Sequence, residues 1–313
     1  MELIRGLHNL RPHHRGCVAT IGAFDGVHHG HRAVLGHLLE KAQELQLPAV
    51  VVLFEPLPRE YFAPTRAPAR LMSFREKFVA LKELGIDRVL RIRFDQKLQT
   101  MSAQDFISEI FVKGLGVRYI VVGDDLRFGH DREGDYWMMK AQGEQFGYET
   151  MHTSTLGFSG TRVSSTRIRE ALEKSDFALA EELLGRPYAI TGKVVYGEQV
   201  GRSFGAPTAN MELHRLRPPL AGVYAVEVRG ALAGAADKLV AGVANVGTRP
   251  TVNDSIRANL EVHLLDFDAD LYGRTIQVIF RHKLRDEHKF ESLDLLKQQI
   301  HKDLAQGREF FKL

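Results

Sequence analysis

The chain of 313 residues holds a single cysteine, Cys17, and a single tryptophan, Trp137. One thiol excludes an intramolecular disulfide and fits a reducing compartment, so a cytoplasmic setting is expected. No apolar run approaches the roughly 20 residues of a membrane span, and the longest clean ones, such as Pro48 to Phe54, are strand-sized. The opening MELIRGLHNLRPHHRG lacks the apolar stretch of a secretory signal. An excess of one charge is also missing. Lys and Arg number 42 against 39 Asp and Glu, a net +3 spread along the chain. That balance gives no support for a nucleic-acid or membrane partner and weakly favours small anionic substrates.

What is present suits two globular domains: 44% hydrophobic and 26% charged residues over a length too great for one ordinary core. The first half alternates strand and helix signals. Cys17 to Gly22, Ala49 to Phe54, Val89 to Phe94 and Tyr119 to Val122 read as strands. His31 to Leu45, Phe74 to Leu84 and Ala103 to Val112 read as helices. This predicts an α/β doubly wound parallel sheet, with ligand at the carboxyl ends of its strands. Thr166 to Glu173 and Phe177 to Leu184 add two helices before Gly185 to Pro187 break the pattern. Short β runs follow: Ala189 to Tyr196, Val223 to Val228, Leu239 to Val246, Ala258 to Leu265 and Thr275 to His282. A helix, Ser292 to Phe311, closes the chain. An antiparallel β-barrel with a terminal helix is expected there. The predicted domains are 1–184 and 185–313.

After the first strand comes TIGAFDGVHHGH, Thr20 to His31. Gly22, Gly26 and Gly30 allow a tight turn and close approach to a ligand. His28 and His31 stand three apart at a helix start, where free N–H groups and the helix dipole favour phosphate. Three readings stay open on these residues: a transition-metal site, a solvated histidine cluster, or imidazoles donating to a polyphosphate. In the second half, Gly192, Gly197 and GRSFGAPTAN (Gly201 to Asn210) form a turn-rich segment able to surround a phosphate. Thr208 and Asn210 there offer oxygen ligands suited to Mg²⁺. A barrel hairpin is the equal alternative. Neither a Walker loop nor a protein-kinase glycine loop fits.

His28-x-Gly30-His31 resembles the HxGH signature of the nucleotidyltransferases, and TIGAFDGVHHGHR resembles its form in bacterial bifunctional riboflavin kinases/FAD synthetases. The lysine-rich loop of a class I aminoacyl-tRNA synthetase is absent. GRxxGxPTAN, GVANVGTRPT (Gly242 to Thr251), LEVHLLDF (Leu260 to Phe267) and DLYGR (Asp270 to Arg274) are similar to the riboflavin kinase part of the same family. The resemblance covers essentially the whole chain in one order. It implies an N-terminal FMN adenylyltransferase and a C-terminal riboflavin kinase, with riboflavin, FMN and ATP as small-molecule partners and Mg²⁺ as cofactor.

By the same resemblance His28, His31 and Arg169 act in adenylyl transfer. Gly22, Phe24, Asp25, Gly30, Ser165 and Thr166 bind that ATP. Phe54, Pro56, Pro58, Phe62, Asp124, Asp125 and Phe128 line the flavin. Glu261 is the kinase's general base. Gly192, Gly201, Arg202, Gly205, Pro207, Thr208 and Asn210 hold the kinase's ATP, the last two also the metal. Read without the family, Glu261 is an outward residue on an edge strand, since it alternates with Leu260 and Val262. Likewise the Phe54 to Phe62 loop is a stiff turn with core aromatics, and Ser164 to Arg169 a helix cap. Four positions depart from the family: Ala23, more often Asn, then Leu57, Leu126 and Ala206. Ala23 keeps open a kinase with a silent first domain. A flavin carrier without turnover is a further alternative, and another nucleotidyltransferase is disfavoured by the barrel.

Overall fold

A computed structural model describes residues 1–123, 125–153, 157–158, 161–197, 206–250 and 256–313. Contacts divide the chain into two compact units. The first comprises Met1–Pro68 and Phe74–Ser164, the second Ala69–Ser73 and Ser165–Leu313.

The first unit is built in the order β1 (Glu2–Arg5), β2 (Val18–Ile21), α1 (His29–Leu45), β3 (Ala49–Glu55), α2 (Pro58–Phe62), α3 (Phe74–Glu83) and β4 (Arg88–Arg93). Then come α4 (Gln96–Gln99), α5 (Ala103–Phe106), β5 (Tyr119–Gly123), α6 (Tyr136–Phe146), β6 (Glu149–Thr153) and a two-strand ribbon of β7 (Gly157–Phe158) and β8 (Thr161–Arg162). Six strands form a parallel sheet in the order β1-β4-β3-β2-β5-β6. The central strands are buried on both faces, and Ala49 to Leu53 has virtually no exposure, as a covered parallel strand demands. From β2 the chain winds outward through β3 and β4, then returns to β5 on the other side of β2. That reversal opens a crevice at the carboxyl ends of β2 and β5, where a ligand is expected in such sheets.

The helix read over Ala103 to Val112 proves composite. α5 runs into a π-helical stretch, Ile107–Gly114. Its apolar face, with Ile107, Ile110 and Phe111, joins the core.

The second unit comprises α7 (Ser165–Glu173), α8 (Phe177–Leu184), β9 (Ala189–Val195), β10 (Ala209–Glu212), β11 (Gly222–Arg229), β12 (Leu239–Pro250), β13 (Ile256–Leu264), β14 (Thr275–Arg285) and α9 (Leu293–Phe311). Six antiparallel strands close as β10-β13-β12-β11-β14-β9. Ala258, Leu260, Val262 and Leu264 alternate into its core. Arg285 makes a forked ion pair with the buried Asp303 (Nε–Oδ1 2.9 Å, Nη2–Oδ2 2.8 Å), which ties α9 to β14. Contacts part the chain at 164/165, whereas the sequence pattern changes at 184/185; α7 and α8 lie with the barrel. So does Ala69–Ser73. Buried Arg215 donates from Nη1 to Arg70 O (3.3 Å), Leu71 O (3.0 Å) and the Tyr188 hydroxyl (3.0 Å). Tyr188 in turn donates to Leu71 O (3.3 Å).

Candidate active sites

β2 ends at Ile21 and the chain turns through Gly22 to Val27 before α1 begins. Three residues of the turn have left-handed φ: Phe24 at 46°, Gly26 at 93° and Val27 at 43°. For Phe24, and more so for β-branched Val27, this conformation costs about 1–3 kcal/mol each and persists only where surroundings enforce it. Here burial does so: Phe24, Asp25, Val27 and His28 are all buried. The helix begins two residues earlier than the sequence suggests, because His28 caps it. His28 Nδ1 accepts from His31 N–H at 3.3 Å. A histidine with Nδ1 so occupied carries its proton on Nε2 when neutral, leaving an N–H donor on the other side of the ring. The His28 and His31 rings stack at 3.6 Å, and Phe24 lies 5.2 Å from His31. Gly30 packs against Val163, whose carbonyl would lie 3.4 Å from a Cβ there.

The metal alternative for these histidines finds no support among the described residues. The group close enough to share an ion is Glu2, His13 and His14, elsewhere in the unit. There His14 Nδ1 accepts from Arg11 N–H (2.8 Å) and Nε2 meets Glu2 Oε1 (2.9 Å), so both ring nitrogens are already used.

After β3, Pro56 and Pro58 bracket the turn into α2, and the Glu55–Pro56 peptide is cis. Phe54, Tyr61 and Phe62 meet in an aromatic cluster around Phe94, with centroids 5.8, 5.2 and 5.6 Å from its ring. Phe62 is 58% exposed, whereas Phe128 is buried and stacked on Phe106 at 5.2 Å. Phe62 therefore offers an open ring face, and Phe128 supports the core beneath. Phe94 and Phe106 were not singled out from sequence; their positions on strand and helix gave no sign of a shared cluster. Asp125 follows β5 at the crevice and is exposed. Asp124 lies outside the described residues, as do Gly201, Arg202 and Gly205. Ser165 and Thr166 open α7, and Arg169 Nε donates to Ala69 O at 2.6 Å within the second unit.

In the barrel, PTAN is less of a turn than its glycine-rich approach suggests: Ala209 and Asn210 already belong to β10. Asn210 pairs with Glu261 across β10 and β13, and Asn245 pairs with Glu261 across β13 and β12. Directly opposed residues share a face, so the three side chains form one row on the outside of the barrel. Glu261 is thus outward, as alternation suggests, but β13 is an interior strand of a closed barrel rather than an edge. Asn259 Nδ2 donates to Glu261 Oε1 (2.9 Å) and fixes the carboxylate. Asn245 and Asn259 were not named as candidates from sequence; an asparagine at alternate positions of two apolar strands was the available signal.

Asn210, only 7% exposed, turns Nδ2 toward Thr208 O (3.4 Å), keeping Oδ1 as an acceptor. A Cβ at Gly197 would overlap the Asn210 carboxamide, so glycine makes room for it. The Thr208 hydroxyl, Asn210 Oδ1 and the nearby Glu261 carboxylate are hard oxygen donors of the kind Mg²⁺ takes. Gly192 sits in β9 against Met211, Pro207 is exposed, and Ala206 is buried. Pro207 O accepts from His263 Nδ1 at 2.9 Å, and burial holds the His263 pKa below its ordinary value.

A FAD synthetase family model matches residues 10–167, and a riboflavin kinase family model matches residues 184–311. The bifunctional riboflavin kinase/FMN adenylyltransferase of Escherichia coli (strain K12) is 52% identical over 314 residues, covering 100% of this chain and 99% of that protein. The protein of the same description from Pseudomonas fluorescens is 51% identical over 308 residues, covering 98% and 97%. A crystal structure described as a macrolide-efflux protein from Streptococcus pneumoniae shares the fold at TM-score 0.76 and 29% identity, covering 98% of both chains. No helix among the described residues is long and apolar enough to cross a membrane. With both family models matched in order and relatives alike over their full length, the chain belongs to the bifunctional riboflavin kinase/FMN adenylyltransferase family.

Proposed function

We propose that this chain makes FAD from riboflavin in two ATP-dependent steps, kinase chemistry in its C-terminal part (185–313) and adenylyl transfer in its N-terminal part (1–184). The observation that carries this is the presence in one chain of the His28-capped turn and the Glu261–Asn210–Asn245 row.

In the first step Glu261 accepts the proton of the ribityl 5′-hydroxyl as that oxygen attacks the γ-phosphorus of ATP, and ADP leaves. Asn259 orients the carboxylate for this. Thr208 and Asn210 are the residues that would hold Mg²⁺, which supplies charge neutralisation on the polyphosphate. Gly192 in β9 and Pro207 just before β10 shape the nucleotide site.

In the second step a phosphate oxygen of FMN attacks the α-phosphorus of a second ATP, and the bond to pyrophosphate breaks. His28 presents Nε2–H to charge developing on the phosphates, with His31 stacked behind it. Gly22, Phe24, Asp25 and Gly30 bring backbone to the nucleotide. Phe62 offers its ring to the isoalloxazine, with Phe54, Pro56, Pro58 and Asp125 around it and Phe128 as support. One buried thiol and no membrane-spanning helix among the described residues suit a cytoplasmic enzyme of small molecules.

The test is a time course. Purified protein is mixed with riboflavin, ATP and Mg²⁺, and the flavins are separated by chromatography. FMN rising first and then giving way to FAD is expected. FMN without FAD removes the adenylyl step, and unchanged riboflavin removes both.

A further inference from the structure

Lys77 lies on α3 with 1% of its surface exposed, and its Nζ is 2.5 Å from Ala23 O. Burying an ammonium group is unfavourable unless its charge and hydrogens are used. The carbonyl that it grips belongs to the turn between β2 and α1. The charge-assisted bond is made to backbone, so it needs no particular side chain at residue 23.

In a trans peptide the N–H points opposite to the preceding C=O. Holding Ala23 O toward Lys77 therefore turns the Phe24 N–H away from Lys77. That N–H donates to no group among the described residues. It sits between β2 and the His28 cap, in the turn whose left-handed Phe24 and Val27 favour relaxation to another conformation.

We propose that Lys77 is a positioning residue for adenylyl transfer: by gripping the Ala23 carbonyl it fixes the Ala23–Phe24 peptide so that the Phe24 N–H donates to a phosphate oxygen of the bound nucleotide. The proposal rests on reading this turn as the adenylyl-transfer site. Lys77 touches no substrate; it sets a donor that is worth most once charge develops on the phosphates.

The experiment uses the full chain as wild type, Lys77→Met and Lys77→Arg, each assayed for riboflavin phosphorylation and for FMN adenylylation. Lys77→Met lowers kcat for adenylylation by about 100-fold, the scale of losing one preorganised donor. KM for FMN and the riboflavin phosphorylation rate change little, and Lys77→Arg recovers part of the loss. On wild type labelled with ¹⁵N-phenylalanine, α,β-methylene ATP shifts the Phe24 amide resonance and slows its hydrogen exchange.

A folded Lys77→Met with unchanged kcat overturns the proposal, as does a wild-type Phe24 amide that ignores the nucleotide. The second measurement decides alone if Lys77→Met does not fold. A wild type that forms FMN but never FAD removes the reading of the turn, and with it the proposal, before any variant is made.

Discussion

Glu261 and His263 stand two residues apart on one strand, facing the same way, and their surroundings give them different work. Glu261 is held by Asn259 and flanked by Asn210 and Asn245. Gln is isosteric and can keep the Asn259 contact through its amide oxygen, but it cannot take a proton. Glu261→Gln is expected to slow FMN formation by about 10²–10⁴-fold while leaving adenylylation of added FMN intact. Assaying the two reactions separately checks this, and a normal kinase rate would sink the assignment.

His263 donates from Nδ1 to Pro207 O, and burial lowers its pKa from the ordinary 6.5. The sign follows from proton linkage. Above pH 6.5 neither folded nor unfolded chain is protonated there, and the full stability is present. As pH falls through that value the unfolded chain takes a proton that the folded one resists, so stability is lost down to the folded pKa. Thermal midpoints between about pH 7 and 5 should drop more for wild type than for His263→Gln. Equal drops would mean that His263 is not the linked group. At this scale sequence said little on its own: alternation placed Glu261 outward but could not distinguish a base from a solvated acid. Its neighbours Asn210 and Asn245 come from two other strands, β10 and β12, that only long-range pairing with β13 brings beside it.

At the scale of elements, caps and strand ends do what side chains alone cannot. His28 is both the N-cap of α1 and, with Nδ1 committed, the holder of an Nε2–H donor. Asn is among the best N-caps, so His28→Asn keeps α1 and its start while removing the imidazole. The expected result is a folded chain with a somewhat lower melting temperature from the void left by the buried ring, unchanged riboflavin phosphorylation and FAD formation lowered by about 10²-fold or more. Retained FAD formation would return His28 to a purely structural role.

Most elements were legible because their apolar period is strong. The buried run from Ala49 to Leu53, the amphipathic α3 and the alternating β13 all lie where the pattern puts them. What was hidden has a common cause, namely that long-range contacts override a local signal. β10 begins inside a stretch rich in turn residues because β9 and β13 supply its partners. Over Ala69–Ser73 the pattern marks no element, yet Arg215 and Tyr188, far along the chain, bind its carbonyls. Lys77 carried no signal in the helical pattern of α3; only the fold brings its ammonium to the Ala23 carbonyl in the turn after β2.

At the scale of the whole molecule, two contact-defined units and two family models describe one chain that is expected to run consecutive reactions. Their order is chemical: the phosphate added by the first step is the nucleophile of the second. Each defect should then be repairable by another molecule, because FMN is a stable, diffusible intermediate. Glu261→Gln keeps the adenylyl site and His28→Asn keeps the kinase site. Neither alone should convert riboflavin to FAD at an appreciable rate. Mixed in one tube with riboflavin, ATP and Mg²⁺, the pair should restore FAD after a lag in which free FMN accumulates. The lag should shorten when FMN is added at the start. If the mixture makes FMN but no FAD, the Glu261→Gln chain has lost its second site too, and the two activities do not rest on separate residues. If FAD appears without free FMN, a hidden kinase site serves the Glu261→Gln chain, and Glu261 is not the base. Recovery through free FMN is the outcome that separate chemistry on the turn after β2 and on the outer face of the barrel requires.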